Sequence, residues 1–152
     1  MTPRSFLRDV DLFRDLPDGH LDRLAAVARP VTARRGETIT RDTDPPDRLF
    51  AVMSGVVEVG RTARDGSFVR LARVERGEVF GALGSVGRSG TAVAAIVPET
   101  QLLAWDAAGL KKLMAEDPAL GRSLLDALVA RLSARLHSAS EAVFTLLQAM
   151  GR

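Results

Sequence analysis

The sequence predicts a mainly β domain flanked by helices, and three observations carry that prediction. Apolar residues recur at helical spacing over the first thirty positions. From Val31 the period falls to about two, in short runs separated by Gly, Asp and Pro, and after Asp106 the helical period returns. Many short strands punctuated by turn residues indicate an antiparallel sandwich or barrel, and their number suits a jelly roll. With 152 residues, 46% of them apolar, the chain reads as one domain able to build a core without cross-links. Its parts are residues 1–30 (helices), 31–106 (the β-roll) and 107–152 (helices).

The opening stretch carries an apolar face from Phe6, Leu7, Val10, Leu12, Phe13 and Leu16. Pro17-Asp18-Gly19 reads as a turn, and Leu21, Leu24, Ala25, Val27 and Ala28 continue at helical spacing until Pro30, which gives two small helices. Strands are expected at Glu37–Arg41, Arg48–Met53, Val56–Ala63, Ser67–Val74, Thr91–Val97 and Gln101–Asp106. Gly36, Gly55, Gly66 and Gly77 fall between these runs and serve turns. Trp105 ends a strand and is expected at the core or its rim. Ala107–Glu116 forms a short helix that stops near Pro118.

A long helix is expected from about Ala119 to Met150. Leu125, Val129, Leu132, Leu136, Ala139, Val143, Leu146 and Met150 are spaced 4, 3, 4, 3, 4, 3, 4, an a/d heptad seam. The first half of the seam is expected to pack on the domain itself. A helix of about 30 residues is about 45 Å long, more than a domain of this size can cover, so the seam predicts self-association, with a homodimer as the simplest form. Arg135, Ala142 and Ala149 flank it on one side, Ser133 and Ser140 on the other.

Composition excludes several classes. There are no cysteines, so disulfides, thiolate metal sites and cysteine nucleophiles are ruled out. Net charge is only +2, and the basic and acidic residues balance, five and five over 1–30 and ten and ten over 31–106, so no segment carries a nucleic-acid footprint. No apolar run approaches the ~20 residues of a membrane span, and the N-terminus lacks a signal-peptide core; a cytoplasmic protein is expected. His20 and His137 lack partners in sequence and are expected at the surface. No catalytic or metal-ligating set emerges, so the chain is expected not to be an enzyme.

Residues 79–96 hold the chemistry. Val79-Phe-Gly-Ala-Leu-Gly-Ser-Val-Gly-Arg-Ser-Gly-Thr91 places four glycines between two strand-like runs. Glycine permits close backbone approach to a phosphate, and a short helix beginning at Ala82 would aim free N–H groups at an anion.

Together with Leu12-Phe13-Arg-Asp-Leu16, Arg35-Gly36-Glu37-Thr-Ile39, Asp47-Arg-Leu-Phe-Ala-Val-Met-Ser-Gly55 and Gly77-Glu-Val-Phe-Gly81, this order of elements resembles the cyclic nucleotide-binding domain of catabolite activator-like bacterial regulators. The resemblance covers almost the whole chain. It implies a non-enzymatic regulatory domain that takes a cyclic nucleotide as its ligand, requires no other cofactor, and acts through a protein partner. It further implies a cassette reading Phe-Gly-Glu-Leu-Ala and then Arg-Ser/Thr-Ala, in which Glu holds the ribose hydroxyl and Arg the cyclic phosphate.

Here Phe80, Gly81 and Leu83 match, but Ala82 stands at the Glu position and Gly90 at the Arg position, in a loop one residue shorter. Losing two charge-assisted contacts of ~1.5–3 kcal/mol each weakens a nucleotide by roughly two to four powers of ten. Arg88 is the nearby charge able to replace the missing Arg; Ser85, Ser89 and Thr91 are oxyanion donors that serve equally well in local turns. The candidate ligand set is therefore Gly81, Ala82, Leu83, Gly84, Arg88, Ser89, Gly90, Thr91 and Ala92. The resemblance adds Arg131, Arg135 and Ser138 on the long helix as positions facing the base.

Two outcomes separate an empty scaffold from a sensor: an apolar plug such as Val86 or Val93 turned inward, or a phosphate-bearing ligand against 81–91. Relatives of this kind carry a helix-turn-helix domain after the long helix. This sequence ends at Met150-Gly-Arg152, so direct DNA binding by this chain alone is not expected, unless it is the sensor part of a longer regulator.

Overall fold

The computed structural model describes residues 3–45, 47–82 and 92–151. Helices α1 (Pro3–Leu7) and α2 (Asp18–Val27) lead into eight strands, and α3 (Ala107–Glu116) and α4 (Pro118–Met150) follow. The strands are β1 (Arg29–Arg34), β2 (Thr38–Thr40), β3 (Arg48–Ser54), β4 (Val56–Thr62), β5 (Phe68–Glu75), β6 (Val79–Ala82), β7 (Ala92–Ala95) and β8 (Glu99–Asp106). They form two four-stranded antiparallel sheets, β1-β8-β3-β6 and β2-β7-β4-β5, the jelly roll expected.

The two central strands of the first sheet, β3 and β8, are buried on both faces, which explains their continuous apolar runs. Along β3, Phe50 and Val52 face the second sheet while Leu49 and Ala51 face the helices; β8 alternates likewise, with Leu102 and Ala104 inward and Leu103 and Trp105 toward the helices. The inner core joins these to Val57, Val74 and Val93 of the second sheet and to Phe80. The outer core gathers the N-terminal apolar residues with Leu110, Leu113, Leu120 and Leu124. Trp105 is a core residue: its indole N–H donates to the Leu24 carbonyl at 2.9 Å, and its ring meets the edge of Phe13 at 5.3 Å.

Several local expectations are corrected. The first helix stops at Leu7, and residues 8–16 descend through tight turns such as Val10 N–H to the Leu7 carbonyl and Phe13 N–H to the Val10 carbonyl. Asp18 and Gly19 open α2 instead of forming a turn, with Pro17 at its N-cap. Pro30 lies within β1, a strand the sequence reading did not assign. It is tolerated because β1 is an edge strand, paired among the described residues with β8 alone. β8 begins at Glu99, two residues early, which buries Thr100. His20 is half-buried, with its Nδ1 shielded from water and without a hydrogen-bond partner among the described residues.

The largest correction concerns α4. Its buried residues are Leu120, Gly121 and Leu124, with Ala127 and Leu128 packed behind them. The heptad seam lies on another face: Leu125, Val129, Leu132, Leu136, Val143, Leu146 and Met150 are 52% to 71% exposed, and Ala139 is exposed as well. The first half of the seam therefore does not pack on the domain. Among the described residues no helix is long and apolar enough to cross a membrane.

Candidate functional site

β6 brings the start of the cassette against β3, with Phe50 opposite Phe80, Leu49 opposite Gly81 and Arg48 opposite Ala82. The Phe50 and Phe80 rings stack at 4.8 Å and anchor the strand from inside. Gly81 has φ +103°, and a Cβ there would stand 2.3 Å from the Arg48 carbonyl oxygen, so strand pairing itself requires glycine. Ala82 is the last strand residue and does not start a helix. Leu83, Gly84, Ser85, Val86, Arg88, Ser89, Gly90 and Thr91 lie outside the described residues.

Facing β6 is one side of α4. Leu128, Arg131, Leu132 and Arg135, spaced i, i+3, i+4, i+7, line a cavity of 210 Å³ with Leu49, Val79, Phe80 and Gly81. Arg131 is half-buried and fully engaged. It donates to the Val79 carbonyl at 2.9 Å and pairs with the Asp11 carboxylate at 3.2 Å, so it ties α4 to the cassette strand and to the N-terminal segment. Asp11 is fixed in turn by its N–H on the Gly77 carbonyl at 2.9 Å. Arg135, exposed, has no ion-pair partner among the described residues. On the far side of Arg131 a wider groove of 610 Å³ opens between the N-terminal segment and α4, lined by Leu12, Leu16, Ala130 and Ala134 and rimmed by Asp15 and Asp126. Among the described residues no three His, Cys, Asp or Glu side chains gather as a metal site.

A family model of the cyclic nucleotide-binding domain matches residues 30–117, the whole β-roll and α3. The chain belongs to the cyclic nucleotide-binding domain family. It is 32% identical to the N-terminal domain of a transcriptional regulator from Streptomyces coelicolor, with a TM-score of 0.75 over 88% of this chain and 94% of that one. The catabolite activator protein of Thermus thermophilus is 27% identical, with a TM-score of 0.77 over 90% of this chain and 62% of that one. A CRP-like cAMP-activated global transcriptional regulator of Mycobacterium tuberculosis is 29% identical over 136 residues, 88% of this chain and 60% of that protein. The chain thus spans about three-fifths of the curated relatives of that kind.

Within the cyclic nucleotide-binding domain, the structure brings together Gly81, Arg131 and Arg135 of the predicted set. Ala92 opens β7 in the second sheet, where it pairs with Gly60. Ser138, one turn beyond Arg135, is exposed and lines no described cavity. Val93 is turned inward and 2% exposed, packed with Phe80 and Phe50 between the sheets. Sequence reasoning missed Asp11, Leu49, Leu128 and the Val79 carbonyl. The Asp11–Arg131 pair spans 120 positions, and no local pattern announces it.

Proposed function

We propose that this cyclic nucleotide-binding domain is a non-enzymatic regulatory module that self-associates through α4, acts through contacts with a protein partner, and has diverged from its family's usual ligand pocket. The exposed heptad seam carries this reading. Seven large apolar side chains along one stripe exceed what a soluble monomer ordinarily presents to water. Val129 and Val143 at two of the four a positions, beside Leu136 and Met150, and Leu125, Leu132 and Leu146 at three of the four d positions favour two parallel strands, hence a homodimer. The divergence rests on Ala82 and Gly90 at the expected Glu and Arg positions, and on the inward Val93 and stacked Phe50 and Phe80, which fill the space between the sheets.

Sedimentation equilibrium tests the association. The wild-type chain is expected at twice its own mass at micromolar concentration, and Leu136→Asp at the monomer mass with unchanged Trp105 fluorescence. A wild type that stays monomeric at a hundred micromolar overturns the reading.

One observation favours a second reading, a sensor of cyclic AMP, cyclic GMP or a cyclic dinucleotide. The cavity between β6 and α4 is concave, apolar-walled and edged by two arginines, which are the features of a small-molecule site.

A further inference from the structure

We propose that in this domain the ligand's anion is held by the long helix, through Arg135. The inference rests on the sensor reading. It begins with where space and charge are left. Between the sheets, Phe50, Phe80, Val93 and Leu102 leave the interior packed. Among the described residues, a concavity at the cassette strand is the 210 Å³ space against α4, whose walls are Leu49, Val79, Phe80, Leu128 and Leu132. That is below the ~300–1,000 Å³ of ordinary ligand pockets, so it takes one ring of a ligand and leaves a polar remainder at the mouth.

Two guanidiniums edge that space, and they are not equivalent. Arg131 is neutralised by Asp11 and spends a further N–H on the Val79 carbonyl. Arg135 lies four residues on, on the same helix face, with no carboxylate against it among the described residues. Among the described residues that line the pocket, the uncompensated positive charge is therefore Arg135's. A guanidinium offers phosphate a planar pair of donors, and beside apolar walls its pull on an anion is stronger than in open water. The chemical class that fits is a phosphate ester carrying one flat ring, with the ring toward Leu128, Leu132 and Phe80 and the phosphate outward on Arg135. The bland alternative is a solvated arginine on the flank of the seam.

Titration calorimetry of the full chain with cyclic AMP, cyclic GMP and adenosine distinguishes them. The wild type is expected to bind a cyclic nucleotide more tightly than adenosine. Arg135→Ala is expected to weaken the cyclic nucleotide about tenfold or more and to leave adenosine unchanged, while Arg135→Lys restores part of the loss, since a lysine keeps the charge and loses the fork. Circular dichroism and Trp105 fluorescence confirm that each variant is folded. If the wild type prefers the cyclic nucleotide and Arg135→Ala keeps that preference, the assignment falls and the sensor reading stands; loss of the preference in Arg88→Ala would then put the anion in the loop. A wild type that binds none of the three ligands overturns both.

Discussion

The two halves of α4 are made of the same residue types and live in different worlds. From Pro118 to Arg131 the helix has four anchors. Leu120 and Leu124 enter the outer core, and Gly121 comes so close to α3 that a Cβ would sit 3.0 Å from the Met114 carbonyl oxygen. Arg131 then clasps Val79 and Asp11. From Leu132 to Met150 every residue is exposed. Intrinsic propensity does not separate the halves, since Ala, Leu and Arg fill both. In proteins most helical stability comes from tertiary packing and not from propensity; the near half has that packing from the domain, and the far half receives it only in the self-associated form proposed above. Where the helix meets the roll, it carries two apolar stripes, Leu120, Leu124 and Leu128 for the core and Leu125, Val129 and Leu132 for the seam. Beyond Leu132 the core stripe ends and the seam continues, with exposed Phe144 and Leu147 beside it.

The sharpest way to break this comparison is to truncate one leucine from each stripe. Leu124→Ala removes a fully buried side chain and is expected to cost about 2–5 kcal/mol, read as a lower urea midpoint that is the same at every protein concentration. Leu136→Ala, at an exposed position, is expected to leave the dilute chain unchanged and to lower the midpoint only at concentrations where the wild type associates. Equal, concentration-independent losses in both variants would mean that the far half is packed on its own domain after all.

Much of this fold was legible because its strands are short and bounded by Gly, Asp or Pro. What escaped did so for physical reasons. β1 reads Arg-Pro-Val-Thr-Ala-Arg and buries only Ala33, so an edge strand left almost no periodic signal. The N-terminal segment has helical apolar spacing, yet its residues 8–16 make i to i−3 turns, which also bring every third side chain inward. The seam was visible as a pattern, but which of two stripes the domain would use depends on how α3 and the sheet present Leu110, Leu113 and Leu103. At the site, the family resemblance pointed to Arg131 and Arg135 of α4, which the structure brings beside Gly81, while residues 83–91 of the cassette lie outside the described residues. Nothing in the sequence indicated that Asp11 would take Arg131 and leave Arg135 without an ion-pair partner among the described residues.

A smaller effect tests the clasp between the halves. Arg131→Ala removes the donor to the Val79 carbonyl and the partner of Asp11, and is expected to cost about 1–2 kcal/mol, including the packing of its aliphatic stem. Amide hydrogen exchange should quicken at β6 and at Asp11 more than in β4 or β7, because the clasp holds the cassette strand and the N-terminal segment and touches neither of those strands. Uniform quickening across both sheets would show that Arg131 supports the fold as a whole.

The smallest expected effect lies at the start of α4 and depends on pH. The Asp117 carboxylate caps the helix by accepting the Leu120 N–H at 3.2 Å and pairs with Arg23 of α2 at 2.8 Å. Its pKa is lowered from the ordinary value, chiefly by the Leu120 N–H, then by Arg23 and by His20, against the opposing effect of burial. A carboxylate whose folded pKa lies below its unfolded value of about 3.9 contributes its full stabilisation above that value and loses it as pH falls through the folded pKa. The melting temperature should therefore be insensitive to Asp117 between pH 5 and 7 and fall below about pH 4. Asp117→Asn keeps a capping acceptor but no titrating charge, so it should start slightly lower at pH 7 and show a shallower acid limb, whereas Asp117→Ala loses the cap at every pH. If wild type and Asp117→Asn descend in parallel from pH 5 to 3, the charge on Asp117 does not stabilise the root of α4. The near half would then be held by Leu120, Leu124 and Arg131 alone.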